Sequence, residues 1–174
     1  MRTFRVHGIS LAGIDADLVT VEARFERVER QRTEWILSGL PDPVIRESRG
    51  RLQSALQANG LRIPQGRLFL NLTPAGLRKA GETLDLPLAL AAIAAVGHVG
   101  ARNLNKVLFL GELGIDGALH AVSGGLSAGL TARRAGLTRM IAPTAVLKAG
   151  PGPTRQGKLP SACWPARSSP RMRG

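Results

Sequence analysis

Seven residues, Gly152-Pro153-Thr154-Arg155-Gln156-Gly157-Lys158, follow the spacing G-x-x-x-x-G-K. In that pattern backbone N–H groups of a glycine-rich loop cradle phosphates and the lysine reaches them. The chemistry also needs a Ser or Thr for Mg²⁺ and a helix whose free N–H groups face the anion. Here Leu159 and Pro160 follow instead, so nucleotide binding at this loop is not expected. His7, His98 and His120 are scattered and Cys163 is solitary, with no recurring ligand spacing, so no metal is expected. Glu112 and Asp116 flank a tight turn, where carboxylates more often fix a loop than transfer protons. The remaining candidates are basic. Arg46, Arg49 and Arg51 fall on one expected helix and Arg133 and Arg134 on another, placed to contact phosphates. The competing reading is a solvated helix face, with Glu47 pairing Arg51 at i, i+4.

Composition favours a polyanionic partner such as DNA, RNA or an anionic surface. The 174 residues carry 24 Lys and Arg against 12 Asp and Glu, a net charge of +12. All twelve acids lie before residue 117, and residues 1–150 hold a balance of +7. With four Phe, two Trp and no Tyr, a base-stacking platform is not expected. A lone cysteine forms no internal disulfide. The first ten residues have no apolar run of a secretory signal, and the apolar run 84–96 is too short to span a bilayer. A cytoplasmic protein without a membrane partner is the expectation.

The elements that must position these residues follow from periodicity. Residues 17–25 alternate, with Val19, Val21, Ala23 and Phe25 on one face, which predicts a half-buried strand. Polar residues 27–32 turn into a second strand at 34–37. Gly39-Leu40-Pro41-Asp42-Pro43 stops it and starts a helix, with Asp42 as N-cap and Pro43 as first helical residue. That helix runs over 44–59 on an apolar stripe of Ile45, Leu52, Ala55 and Leu56, and Gly60 ends it. Gly50 in its middle suggests a close backbone contact. Strands are expected at 67–72, 106–110, 118–122 and 138–142. A turn at 114–117 and a helix over 124–135, with Leu126 and Leu130 inward, complete the set. The order predicts a mixed α/β (α+β) domain over 1–150. Residues 151–174, proline-rich and aperiodic, are expected to be disordered. They read as a chain that has lost its continuation by frameshift or truncation.

The chain is organised around residues 71–92, NLTPAGLRKAGETLDLPLALAA. Asp85 can accept hydrogen bonds from the first turn of a helix in which Pro87 leaves no N–H unpaired. Leu86, Leu88 and the Ala/Leu/Ile residues to Val96 cover every side of that helix, so it must be buried.

Several pieces, in order, carry a resemblance: Gly13-Ile14-Asp15-Ala16, Gly39-Leu40-Pro41-Asp42 with Glu47-Ser48-Arg49, and Asn71-Leu72-Thr73-Pro74-Ala75. Lys79-Ala80-Gly81, Asp85-Leu86-Pro87-Leu88-Ala89-Leu90, and Leu110-Gly111-Glu112-Leu113 with Asp116-Gly117 continue it. Over most of its length the chain resembles the N-terminal domain of the ComM/YifB family of magnesium-chelatase-like AAA+ ATPases. The resemblance implies a fold similar to the Lon proteolytic domain and to domain 2 of a ribosomal small-subunit protein. It also implies a following ATPase module with ATP and Mg, hexameric assembly, and work on DNA in branch migration during natural transformation. This chain would hold no cofactor of its own.

A Lon-like domain raises a Ser/Lys peptidase as a candidate, in which the lysine takes the hydroxyl proton. The resemblance places Thr83 at the nucleophile position and Gly129 at the lysine position, after Gly124-Gly125. Glycine is no base, and Ser123, Ser127 and Thr83 have no lysine near in sequence, though Lys79 is a spatial alternative. Thr83 is therefore expected to make a helix-entrance hydrogen bond, and catalytic residues are expected to be none. The leading expectation is a non-catalytic accessory domain of such an ATPase, the alternative an autonomous basic nucleic-acid-binding module, and the weakest a degenerate peptidase.

Overall fold

A computed structural model describes residues 2–29, 32–77, 82–100 and 104–147. The G-x-x-x-x-G-K heptapeptide, Cys163, the expected tail, Lys79 and Gly81 lie outside the described residues.

The chain forms strands β1 (Phe4–Ala12), β2 (Asp15–Arg27) and β3 (Glu34–Ser38), helix α1 (Asp42–Ala58) and strand β4 (Gly66–Thr73). Helix α2 (Asp85–Ala95), strand β5 (Val107–Phe109) and the two-residue strands β6 (Glu112–Leu113) and β7 (Leu119–His120) follow. Helix α3 (Gly125–Arg134), strand β8 (Arg139–Ile141) and a short α4 (Thr144–Leu147) end the described chain. Among the described residues six strands make one mixed sheet in the order β3-β4-β2-β1-β5-β8, and β6 pairs with β7 in a separate hairpin. β2 runs antiparallel to both β1 and β4, while β3–β4, β1–β5 and β5–β8 are parallel pairs. The expected mixed α/β class is the class adopted.

Strand alternation sends side chains to two cores. Val6, Val19, Val21, Ala23 and Phe109 face one way and pack with α1 and α2. Ile9 and Leu108 face the other way and pack with Ala128 and Ala132 of α3 and Val146 and Leu147 of α4. The sheet is thus sandwiched, and α2 is buried from Asp85 to Ala94 because it lies between the sheet and α1.

Several expectations are corrected. β1 was not expected. It is a central strand buried on both faces, and on the face toward α2 Val6 is followed by Gly8 and Ser10 in place of further large apolar residues. Small residues are needed there: a Cβ on Gly8 would sit 2.7 Å from the Pro87 ring of α2. The N-cap of α1 is Pro41, with Asp42 already helical. A Cβ on Gly50 would meet nothing within 4 Å among the described residues, so no close contact there explains it. α3 turns Gly125, Ala128, Thr131 and Ala132 inward, whereas Leu126 is 44% exposed and Leu130 half-buried. The space between α3 and its neighbours is too tight for leucine: a Cβ on Gly125 would lie 2.5 Å from the Val146 carbonyl oxygen. The close of α1 is as expected. Gly60, at φ 71°, lets its N–H reach the Gln57 carbonyl while Leu61 N–H reaches that of Leu56.

Candidate functional site

A buried ion pair lies where α2 begins. Asp85 is fully buried, and its carboxylate is not the helix cap the sequence suggests. Among the described residues no side chain caps α2, whose N-cap position is Leu84. Asp85 Oδ2 instead accepts from Arg51 Nε at 3.0 Å and from the Leu113 N–H at 3.3 Å, and Oδ1 accepts from Arg51 Nη2 at 3.3 Å. Arg51 also donates to Glu47 one turn earlier. The next backbone N–H, of Leu86, donates to the Gly111 carbonyl at 3.1 Å. One carboxylate therefore joins α1, α2 and the β6–β7 hairpin.

Burial pushes the Asp85 carboxyl above its ordinary value, and hydrogen bonding and charge from Arg51 only partly offset this. Burial works against the Arg51 charge as well, but Asp85 and then Glu47 outweigh it and hold the guanidinium more firmly protonated. Earlier in α1, Ser48 Oγ is buried with no hydrogen-bond partner among the described residues.

The other signature residues serve the same framework. Asn71 accepts from Ser38 Oγ at 2.8 Å and donates to Glu22, tying β3, β4 and β2. The Thr73–Pro74 peptide is cis, and Pro87 packs over Gly8. Gly111 passes close beneath Leu119, Glu112 lies half-buried in β6, and Asp116 Oδ1 accepts from Ala118 N–H at 3.0 Å. Gly117 abuts Asn59, whose amide would be struck by any Cβ there.

Of the residues at Lon positions, Thr83 is buried, and its hydroxyl donates to the Ile9 carbonyl of β1 at 2.9 Å. Gly129 sits in α3, across the sheet from α2. Ser127 donates to the Ile14 carbonyl, and Ser123 is exposed. Nor does the α2 entrance fit a phosphate. The Leu86 N–H is already engaged, and a buried carboxylate stands where an anion would have to sit.

The five arginines do not form one patch. Arg46 and Arg49 are exposed on α1, but Arg51 turns inward to Asp85, its side chain only 17% exposed. Arg133 and Arg134 are exposed at the end of α3, in the opposite layer. Phe69 of β4, on the sheet, lies 5.0 Å beneath the Arg24 guanidinium. His7 contacts Thr20 and His98 the Arg62 carbonyl. Burial lowers the His7 pKa, and a bond to the Asn105 backbone partly offsets this. Among the described residues no three His, Cys, Asp or Glu side chains converge, and no helix is long and apolar enough to cross a membrane.

The Arg51–Asp85 pair was missed from sequence, although a signal was present. Asp85 is the sole charge in the run from Leu84 to Val96, and a carboxylate inside an all-buried helix requires a cation.

Comparison with known proteins places residues 21–146 in the family described as subunit ChlI of Mg-chelatase. The protein YifB of Escherichia coli is 34% identical over 137 residues, covering 79% of this chain and 26% of that protein. Protein Rv2897c of Mycobacterium tuberculosis is 35% identical over 139 residues, 80% of this chain and 27% of that protein. Competence protein ComM of Haemophilus influenzae is 33% identical over 137 residues, 79% and 26% respectively. The chain spans about a quarter of the length of these curated relatives.

Proposed function

The chain belongs to the family of the ChlI subunit of Mg-chelatase, with YifB and ComM among its relatives, and on that premise we propose a non-catalytic accessory domain. It is an N-terminal, Lon-like domain that packs subunits or positions DNA beside an ATPase ring. The name of one relative, a competence protein, supports work on DNA during transformation. Nucleotide and Mg²⁺ chemistry belong, in this reading, to the three quarters of the relatives that this chain does not match.

The observation that carries the non-catalytic role is the fate of Thr83: its hydroxyl is buried and bonded to the Ile9 carbonyl. A nucleophile needs an accessible oxygen and a base to take its proton. Gly129 supplies none.

DNA contact is supported by the charge of +12 and by the exposed Arg46, Arg49, Arg133 and Arg134. The same features support the alternative, an autonomous basic DNA-binding module. Fluorescence anisotropy with a labelled duplex and a four-way junction, over a salt series, tests both. Neutralising either arginine pair should lower the slope of log K against log salt by about two. A response from one pair only identifies which layer of the sandwich faces the DNA. If neutralising the arginines and lysine of residues 151–174 abolishes binding while both pairs are inert, the folded domain is not the DNA-contacting part.

A further inference from the structure

We propose that β3 and α1 form a docking groove for an extended peptide, which joins the sheet as a further strand. β3 is the terminal strand of the sheet, and among the described residues it pairs only with β4. Among the described residues no strand lies along its outer side, and the complement of an open strand edge is another strand.

Beside that edge lies a cleft of about 350 Å³. Trp35, Leu56, Leu61 and Ile63 give it an apolar lining, while Gln53, Gln57 and Arg62 supply polar ends. Thr33 and Trp35 meet α1 and the segment leading into β4 here, with Thr33 Oγ1 donating to the Pro64 carbonyl at 2.9 Å, so the cleft lies at the start of β3 on its α1 side. Side chains alternate along a strand. Every second residue of an incoming peptide on β3 would point to the α1 side, and the one beside Trp35 would meet this cleft.

Charge specifies the occupant further. Arg62 is exposed and has no acidic partner among the described residues. The two glutamines are also exposed, on the α1 face that borders the cleft. The ligand is accordingly an extended peptide with apolar side chains at alternate positions and an acidic group near Arg62. Backbone pairing supplies the affinity and the Trp35 cleft the selectivity.

The full chain carries two tryptophans, so Trp164→Phe leaves Trp35 as the sole reporter. The probe is the acetylated peptide Val-Thr-Val-Thr-Val-Thr-Glu, titrated while Trp35 emission is followed. Saturable binding with a spectral shift is expected. N-methylation at one set of alternate residues should weaken it about tenfold or more, and methylation at the intervening set should not. Arg62→Glu, an exposed change checked for folding by circular dichroism, should weaken the glutamate-ended peptide and favour one ending in lysine.

Absence of saturable binding at millimolar peptide overturns the proposal. Indifference to the N-methylation pattern overturns strand addition. Self-association of the chain in sedimentation, with the same Trp35 shift and no peptide present, would assign the edge to a second copy instead.

Discussion

The Arg51 guanidinium meets the fully buried Asp85 carboxylate through Nε at 3.0 Å and Nη2 at 3.3 Å. It thereby clamps α1 to the first turn of α2. Because the same carboxylate holds the Leu113 N–H, removing the arginine strands an unpaired charge under three elements. Arg51→Ala is expected to lose about 3–5 kcal/mol of stability. Replacing both partners with apolar residues, Arg51→Met with Asp85→Leu, should cost far less. Urea denaturation of the two variants measures the difference.

The same burial predicts a pH dependence with a defined sign. Asp85 is raised above its ordinary 3.8, so between that value and its folded pKa the native state binds more protons than the unfolded chain. Stability from this group is therefore greatest below about pH 3.8 and declines as pH rises through the raised value. Subtracting the urea-derived stability of Asp85→Asn from that of the parent, point by point from pH 3 to 7, should give a falling curve. A rising curve contradicts the assignment.

Thr83 separates structure from chemistry. Thr83→Ala removes a buried hydrogen bond to Ile9 and leaves that carbonyl without this donor, for an expected loss of about 1–2 kcal/mol. Peptide-cleavage assays on parent and variant should give the same background rate. A rate that drops with the substitution would revive the peptidase reading.

Two glycines and a serine make opposite predictions. Gly125→Ala drives a methyl into the Val146 backbone carbonyl, 2.5 Å away, and should destabilise by about 1–3 kcal/mol. Gly50→Ala meets open space in mid-helix and should stabilise by roughly 0.5–1 kcal/mol. Ser48→Ala removes a buried hydroxyl with no partner among the described residues and is expected to be neutral or stabilising. Thermal unfolding of the three single variants ranks them.

Much was legible before any coordinates. The alternation of Val19, Val21 and Ala23 announced β2, and the unbroken apolar run after Asp85 announced a helix buried on every side. Gly39-Leu40-Pro41-Asp42 marked the start of α1, and Gly60 its end. These features are local. Period, breaker residues and caps act within a few positions of themselves, so one stretch of chain is enough to determine them.

Tertiary structure decided what local pattern does not encode. β1 escaped because Pro87, roughly eighty residues away, packs over Gly8 and leaves no room there for the larger side chain that would have marked an apolar alternation. Leu126 faces outward for a similar reason, since only Gly125 and alanine fit under α4. The site followed the same division. Residue types alone distributed Arg46, Arg49 and Arg51 to one function, but their shared helix presents the first two to solvent and the third to Asp85. A side chain's chemistry depends on what faces it. For Arg51 and Asp85, 34 positions apart, packing α1 against α2 brought an arginine of an outwardly solvated helix to the one carboxylate of a buried helix.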